Sequence, residues 1–172
     1  NMKSMLIIGR FQPFHLGHLQ VIKKYAALGY FIKIVVGSIK CKKQLRDPFS
    51  MEERDDMIRL ALDEADIKKY ALYYLPDETD DIVWTDLLLT MVGKIDILFS
   101  GNPWVTSLLE NKDFEVHSFD ETKDRFGDIS ATAIRNKWLE KMSSKGLPKT
   151  VFHYLKGISA QVRLQELKKK EK

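Results

Sequence analysis

Short apolar runs alternate along the chain with longer stretches in which apolar residues recur every three or four positions. Met5-Leu6-Ile7-Ile8 reads as a compact strand ending at Gly9, and Phe31 to Val36 as a second strand closed by Gly37-Ser38. Between them, His18 to Leu28 reads as a helix, with Leu19, Ile22 and Ala26 on one face and Lys24 opposite. Ser50-Met51-Glu52-Glu53 has the Ser-x-x-Glu spacing of a capping box. It predicts a helix to about Ala65 that turns Met57, Ile58, Ala61 and Leu62 inward. Tyr70 to Leu75 is a third strand, stopped by Pro76, and Asp81 to Val92 is helical. Ile95 to Phe99 is a fourth strand, running into Ser100-Gly101-Asn102-Pro103. Trp104 to Glu110 is a short helix and Phe114-Glu115-Val116 a fifth strand. Ser130 can N-cap a helix through about Met142, and Pro148 can sit in the first turn of another. The tail from Gln161 to Lys172 is helix-prone and ends strongly basic.

About five strand–helix alternations predict an α/β fold: a Rossmann-like, doubly wound parallel sheet with flanking helices and a helical C-terminus. Ligands bind such sheets beyond the carboxyl ends of the strands. Gly9-Arg10, Gly37-Ser38, Pro76-Asp77 and Ser100-Gly101-Asn102 fall at those ends.

Composition narrows the class. At 172 residues, 44% hydrophobic, the chain is expected to be one domain with enough apolar mass to fill a core. Asn1, ahead of Met2, is expected to be left over from expression. Lys plus Arg number 28 against 24 for Asp plus Glu, a formal net charge of +4. That mild excess suits a small anionic ligand without demanding nucleic acid. Cys41 is the single cysteine, so no intrachain disulfide can form, which fits a reducing compartment. No apolar run approaches the roughly 20 residues of a membrane span, and a cytoplasmic protein is expected.

The candidate chemistry sits in the first strand-to-helix connection, Gly9-Arg10-Phe11-Gln12-Pro13-Phe14-His15-Leu16-Gly17-His18. It has neither a G-x-G-x-x-G nor a Walker pattern. Two imidazoles three residues apart at a helix start lie on one side, near free N–H groups and the positive end of the helix dipole. Pro13 stiffens the loop, and Gly17 leaves room where a phosphate must approach. The same residues also fit a plain turn carrying two incidental histidines. A metal site would need a third ligand, and none lies nearby in sequence. His117 and His153 are expected to be ordinary structural histidines. A second segment, Ile129-Ser130-Ala131-Thr132-Ala133-Ile134-Arg135, gathers two hydroxyls and an arginine in the first turns of a helix, where they can hold phosphate oxygens. By itself it also fits a capped helix with a surface arginine.

Together the two segments resemble the signatures of the HxGH nucleotidyltransferase superfamily, the second resembling its ISxTxxR motif. Within that superfamily the chain is most similar to the archaeal-type nicotinamide-nucleotide adenylyltransferases. Arg46-Asp47-Pro48-Phe49-Ser50 with Glu53-Arg54, the stretch from Asp77 to Trp84, and Ser100-Gly101-Asn102-Pro103 support that choice. The resemblance runs from Met5 to about Gly157.

It implies adenylyl transfer from ATP to nicotinamide mononucleotide, giving NAD and pyrophosphate. His15, His18, Arg46 and Arg135 would be catalytic. Gly9, Arg10, Phe11, Gly17, Gly101, Asn102, Ile129, Ser130 and Thr132 would line the ATP site. Asp77, Asp81 and Trp84 would meet the acceptor, with Trp84 stacked on its ring. Mg²⁺ would accompany ATP with no dedicated protein cage. The resemblance further implies a homo-oligomer, hexamers being common among archaeal members, with no membrane and no nucleic acid among its partners. The alternatives are another acceptor within the superfamily (phosphopantetheine, FMN, or glycerol phosphate with CTP) or a nucleotide- or RNA-binding module without catalysis. Two positions depart from the family pattern. Ala131 replaces the glycine that usually opens the second motif, and Asp81 stands where archaeal relatives tend to carry asparagine. A carboxylate there would attract a pyridinium charge and disfavour the nicotinate analogue.

Overall fold

The structure is a computed structural model that describes residues 2–119 and 129–171. Asn1 and Lys172, the ends of the predicted chain, lie outside the described residues. Five strands form one sheet: β1 (Ser4–Gly9), β2 (Phe31–Val36), β3 (Tyr70–Tyr74), β4 (Ile97–Ser100) and β5 (Glu115–Ser118). Seven helices are seen among the described residues. They are α1 (Leu16–Ala27), α2 (Met51–Glu64), α3 (Asp81–Val92), α4 (Pro103–Leu109), α5 (Ala131–Glu140), α6 (Lys149–Gly157) and α7 (Ala160–Lys170).

All four strand pairings are parallel, in the order β3-β2-β1-β4-β5. The predicted doubly wound α/β sheet is therefore the one observed. Helices cover both faces, so β1 reads as a continuous apolar run and not as an alternating one. Successive residues still point to opposite sides. Met5 and Ile7 enter a core with Ile22, Met57, Trp138 and Leu155, contributed by α1, α2, α5 and α6. Leu6 and Ile8 enter a second core with Trp84, Leu88 and Leu109, contributed by α3 and α4.

Local signals set most boundaries. The capping box at Ser50 forms as predicted: its hydroxyl accepts from Glu53 N at 3.1 Å, and the Glu53 carboxylate accepts from Ser50 N at 2.9 Å. Helix α1 begins two residues earlier than its apolar periodicity predicts, because His15 is its N-cap. β4 begins two residues later than predicted. Asp96 just before it ties the strand starts together, its N–H donating to Ser4 O and its carboxylate accepting from Ser4 N, both at 2.9 Å.

The chain lays β1, β2 and β3 outward in one direction, then returns to place β4 on the other side of β1. The connections leaving β1 and β4 therefore diverge, and the crevice between them is where such folds bind nucleotides. No described helix is long and apolar enough to cross a membrane.

Ser50→Ala removes one half of the capping box and is expected to destabilise the protein by about 1 kcal/mol in urea unfolding. An unchanged midpoint would show that the box contributes nothing.

Candidate active site

A cavity of about 620 Å³ opens at the carboxyl ends of the strands. Its walls come from every strand end: Gly9 to Gln12 after β1, Gly37-Ser38 after β2, Leu75 to Thr79 after β3, Ser100 to Asn102 after β4 and Phe119 after β5. α5 adds Ala131, Thr132 and Arg135, and α1 adds His18.

His15 and His18 form a reciprocal cap. His15 Nδ1 accepts from Gly17 N, and His18 Nδ1 accepts from His15 N, both at 3.1 Å. The rings stack with centroids 3.7 Å apart. An Nδ1 that accepts a backbone proton cannot carry one, so each neutral ring holds its hydrogen on Nε2. Burial pushes the His15 pKa down to about 4. Burial, and then the neighbouring His15, push that of His18 well below the usual range. The pair therefore offers neutral N–H donors at physiological pH.

The two rings do not share one position. His18 lines the cavity, with Phe11 against it edge-on and Phe14 stacked, whereas His15 lies behind His18 and outside the lining. Gly17 is also outside the lining. A Cβ there would meet the His15 ring at 2.9 Å, so the glycine makes room for the imidazole cap. Ile129 lies on the other side of the same spot, which joins the second motif to the first.

Three arginines face the cavity: Arg10, Arg46 and Arg135. Arg135 is buried and donates to the Gln12 carbonyl at 2.8 Å and toward the Thr132 hydroxyl at 3.4 Å. Burial, then Arg10, and to a smaller extent Arg46, lower its pKa, while Asp47 opposes them. A guanidinium stays charged under such pressure. The site is thus a crowd of like charges held together by the fold, and a polyanion relieves it.

Two residues that the sequence named only within family-like segments, with no role of their own, hold this crowd in place. Asp47 is fully buried. It accepts from Gln12 Nε2 at 2.6 Å and Lys42 N at 2.7 Å, and lies 3.6 Å from Arg10. Arg54 is likewise fully buried. It donates to the carbonyls of Arg10 (2.9 Å), Gly37 (2.8 Å), Ser38 (2.8 Å) and Ser50 (3.2 Å). One side chain therefore pins the ends of β1 and β2 to the start of α2. A sequence signal existed: Arg54 shares its helical stripe with Met57, Ile58 and Ala61, which is the wrong face for a solvent arginine.

Gly101, Asn102 and Thr132 line the cavity, whereas Ile129 and Ser130 do not. The Ser130 hydroxyl caps α5, accepting from Ala133 N at 3.0 Å. Toward β3 the lining includes Asp77 and Trp84. Trp84 is both the predicted site aromatic and a core residue, 7% exposed. Asp81 is not in the lining. Its carboxylate accepts from Trp104 Nε1 at 3.1 Å, and Trp104 in turn lines the cavity beside Trp84. Trp104 carried no sequence signal beyond being an aromatic in a strand-to-helix turn. His117 stacks on Phe99 and pairs with Glu115, and His153 is exposed, so neither joins the site.

The cytidylyltransferase-like family matches residues 6–137. Nicotinamide-nucleotide adenylyltransferase of Thermococcus onnurineus (strain NA1) is 34% identical over 167 residues, covering 96% of this chain and 88% of the relative. The enzyme of the same name from Methanolobus tindarius is 34% identical over 172 residues, covering 99% and 98%. A bifunctional NMN adenylyltransferase/ADP ribose pyrophosphatase from Francisella tularensis, crystallised with AMP and a manganese ion, shares the fold. Its TM-score is 0.77 at 22% identity over 96% of this chain. This chain spans about half of that bifunctional protein, 52%.

The depressed histidine pKa values set a pH dependence. An unfolded histidine titrates near 6.5, and His15 in the native state near 4. As pH falls below about 6.5 the unfolded chain binds a proton that the native state refuses, so stability falls until about pH 4. For His15 alone this amounts to roughly 3 kcal/mol. Above pH 6.5 there is no cost. Urea unfolding between pH 7 and 4.5 is expected to show this slope, and His15→Asn, which keeps a capping oxygen, is expected to flatten it. Equal slopes would refute the buried neutral pair.

Proposed function

We propose that this chain, which belongs to the cytidylyltransferase-like family, transfers the adenylyl group of ATP to nicotinamide mononucleotide, giving NAD and pyrophosphate. The observation that carries the reading is a neutral His18 lining the same cavity as Arg10, Arg46 and Arg135. An α/β sheet with this phosphate end, in a chain a third identical to enzymes of that name over nearly its whole length, supports the same acceptor.

The acceptor's phosphate is already an anion and needs no protein base. One of its oxygens attacks the α-phosphorus of ATP in line. The bond from that phosphorus to the bridging oxygen of the β-phosphate breaks, and pyrophosphate leaves with its electron pair. The protein's contribution is position and charge. His18 donates through Nε2 to a phosphate oxygen. Because it is neutral and its proton is fixed there by the backbone bond to Nδ1, it stabilises charge without giving up the proton. His15 acts from behind by holding His18. Arg10, Arg46 and Arg135 take up the charge that builds on the leaving phosphates. Thr132, Gly101 and Asn102 border the nucleoside.

ATP enters as its magnesium complex. Both imidazoles spend their Nδ1 lone pairs on backbone N–H groups and carry hydrogen on Nε2. Neither offers a lone pair to a cation, so neither imidazole would ligate the magnesium that accompanies ATP. The ATP that the reaction consumes and the single cysteine, Cys41, fit a cytoplasmic enzyme.

The direct test is incubation with ATP, Mg²⁺ and nicotinamide mononucleotide, assayed for NAD and pyrophosphate. Absence of both products would overturn the reading. His18→Ala is expected to lower kcat about 10²–10³-fold, the cost of removing one fixed donor to a developing charge. Arg135→Ala is expected to do the same. Trp84→Ala is expected to act chiefly on the acceptor KM. A normal kcat in His18→Ala would remove the imidazole from the chemistry.

A further inference from the structure

The aromatic part of the cavity lining has a construction of its own. Trp84, on α3, and Trp104, on α4, lie side by side with ring centroids 4.8 Å apart and planes tilted by 57°. Both line the cavity. Trp84 is fixed by the core, whereas Trp104 is 37% exposed and is held from outside by Asp81. Asp81 itself stays out of the lining, in the first turn of α3, and its neighbour Asp80 supplies the helix cap. The Asp81 charge therefore reaches the cavity through the indole that it binds.

That arrangement has a chemical consequence. An indole N–H bonded to a carboxylate is more electron-rich over its ring, and a ring face of that kind attracts a cation. Two tilted indoles make an open notch with two walls, suited to a flat ring laid against them. Asp77 and Glu78 also line the cavity, opposite in sign to Arg10, Arg46 and Arg135. A ligand that uses both the arginines and the indoles carries an anionic phosphate and a flat cationic ring.

We propose that Trp104, positioned by Asp81, is a specificity determinant that selects acceptors by the charge of their ring, favouring a pyridinium bearing an uncharged substituent. The inference rests on the adenylyltransferase reading and deepens it. Asp81 is a positioning residue here, not a hydrogen-bond partner of the acceptor's amide. Nicotinate mononucleotide is disfavoured because its carboxylate meets the Asp81 field. Reduced nicotinamide mononucleotide is disfavoured because its dihydropyridine ring has lost the positive charge.

The test measures kcat/KM with ATP for these three acceptors, in the wild type and in Asp81→Asn, Asp81→Ala and Trp104→Phe. Asp81→Asn keeps an oxygen that can accept from the indole but removes the charge. Trp104→Phe keeps an aromatic ring but removes the N–H. The wild type is expected to prefer nicotinamide mononucleotide over both analogues. Each variant is expected to shrink that preference about tenfold, through the acceptor KM, while the KM for ATP holds. Thermal melts of the variants identify any loss that is merely structural, since unfolding lowers activity on all three acceptors alike and leaves their ratio unchanged. Preferences that stay at the wild-type ratio in all three variants would overturn the role of Trp104 and Asp81 and leave the reaction standing. A wild type that turns over none of the acceptors would overturn the reaction, and this inference with it.

Discussion

Two backbone-to-imidazole bonds at the start of α1 organise the active site. Gly17 N to His15 Nδ1 and His15 N to His18 Nδ1 do in two residues what a capping box normally does with a hydroxyl and a carboxylate. Using rings for the cap has consequences that oxygen atoms would not bring. It stacks the two imidazoles, requires glycine at position 17, and fixes hydrogen on Nε2 of both rings. Burial then keeps them neutral. The same bonds that start the helix thus set the protonation state on which the proposed transition-state stabilisation rests, and they put His18 in the cavity lining and His15 behind it.

The arginines around this pair pose the opposite problem, because like charges must be held close before any phosphate arrives. Asp47 offsets part of the charge from a fully buried position, and Arg54 holds the carbonyls of the loops on which the charges ride. The C-terminal helix extends this support. Arg163 forks onto Glu53 at 2.6 and 2.8 Å and reaches the Pro48 carbonyl at 3.1 Å, while Glu171 accepts from Leu45 N at 2.9 Å. The basic tail that the sequence left without a role therefore braces the loop carrying Arg46. Preorganising repulsion in this way costs stability and places it where bound polyphosphate can relieve it.

The indole pair gives the same cavity a second character. Trp84 and Trp104 both line it, and Asp81 holds Trp104 from outside the lining. In the proposed reading the arginines take the phosphates and the indoles take the ring. The crevice where β4 returns beside β1 supplies the space for both.

Much of this was written locally in the chain. Strand runs, helix stripes, the Ser50 box and the Ser130 cap depend on neighbours within a turn or two, so spacing alone placed them; the two motifs took their meaning from the family resemblance, and the alternation of strands and helices predicted the parallel sheet but not its strand order. Boundaries shifted at α1, β4 and β5; at α1 the shift falls where the His15 ring bonds a backbone group that periodicity does not register. What the tertiary structure decided were pairings across long stretches of chain: Gln12 with Asp47, Arg54 with Arg10, Arg135 with Gln12, and Asp81 with Trp104. A residue's type announces what it can bond, and its local period announces which way it faces. Which distant partner it meets is set only when the sheet closes and brings the strand ends together. For that reason Arg54 stood only as part of a family-like segment, Trp104 as the start of a short helix and Asp81 as an acceptor ligand until the fold supplied their partners.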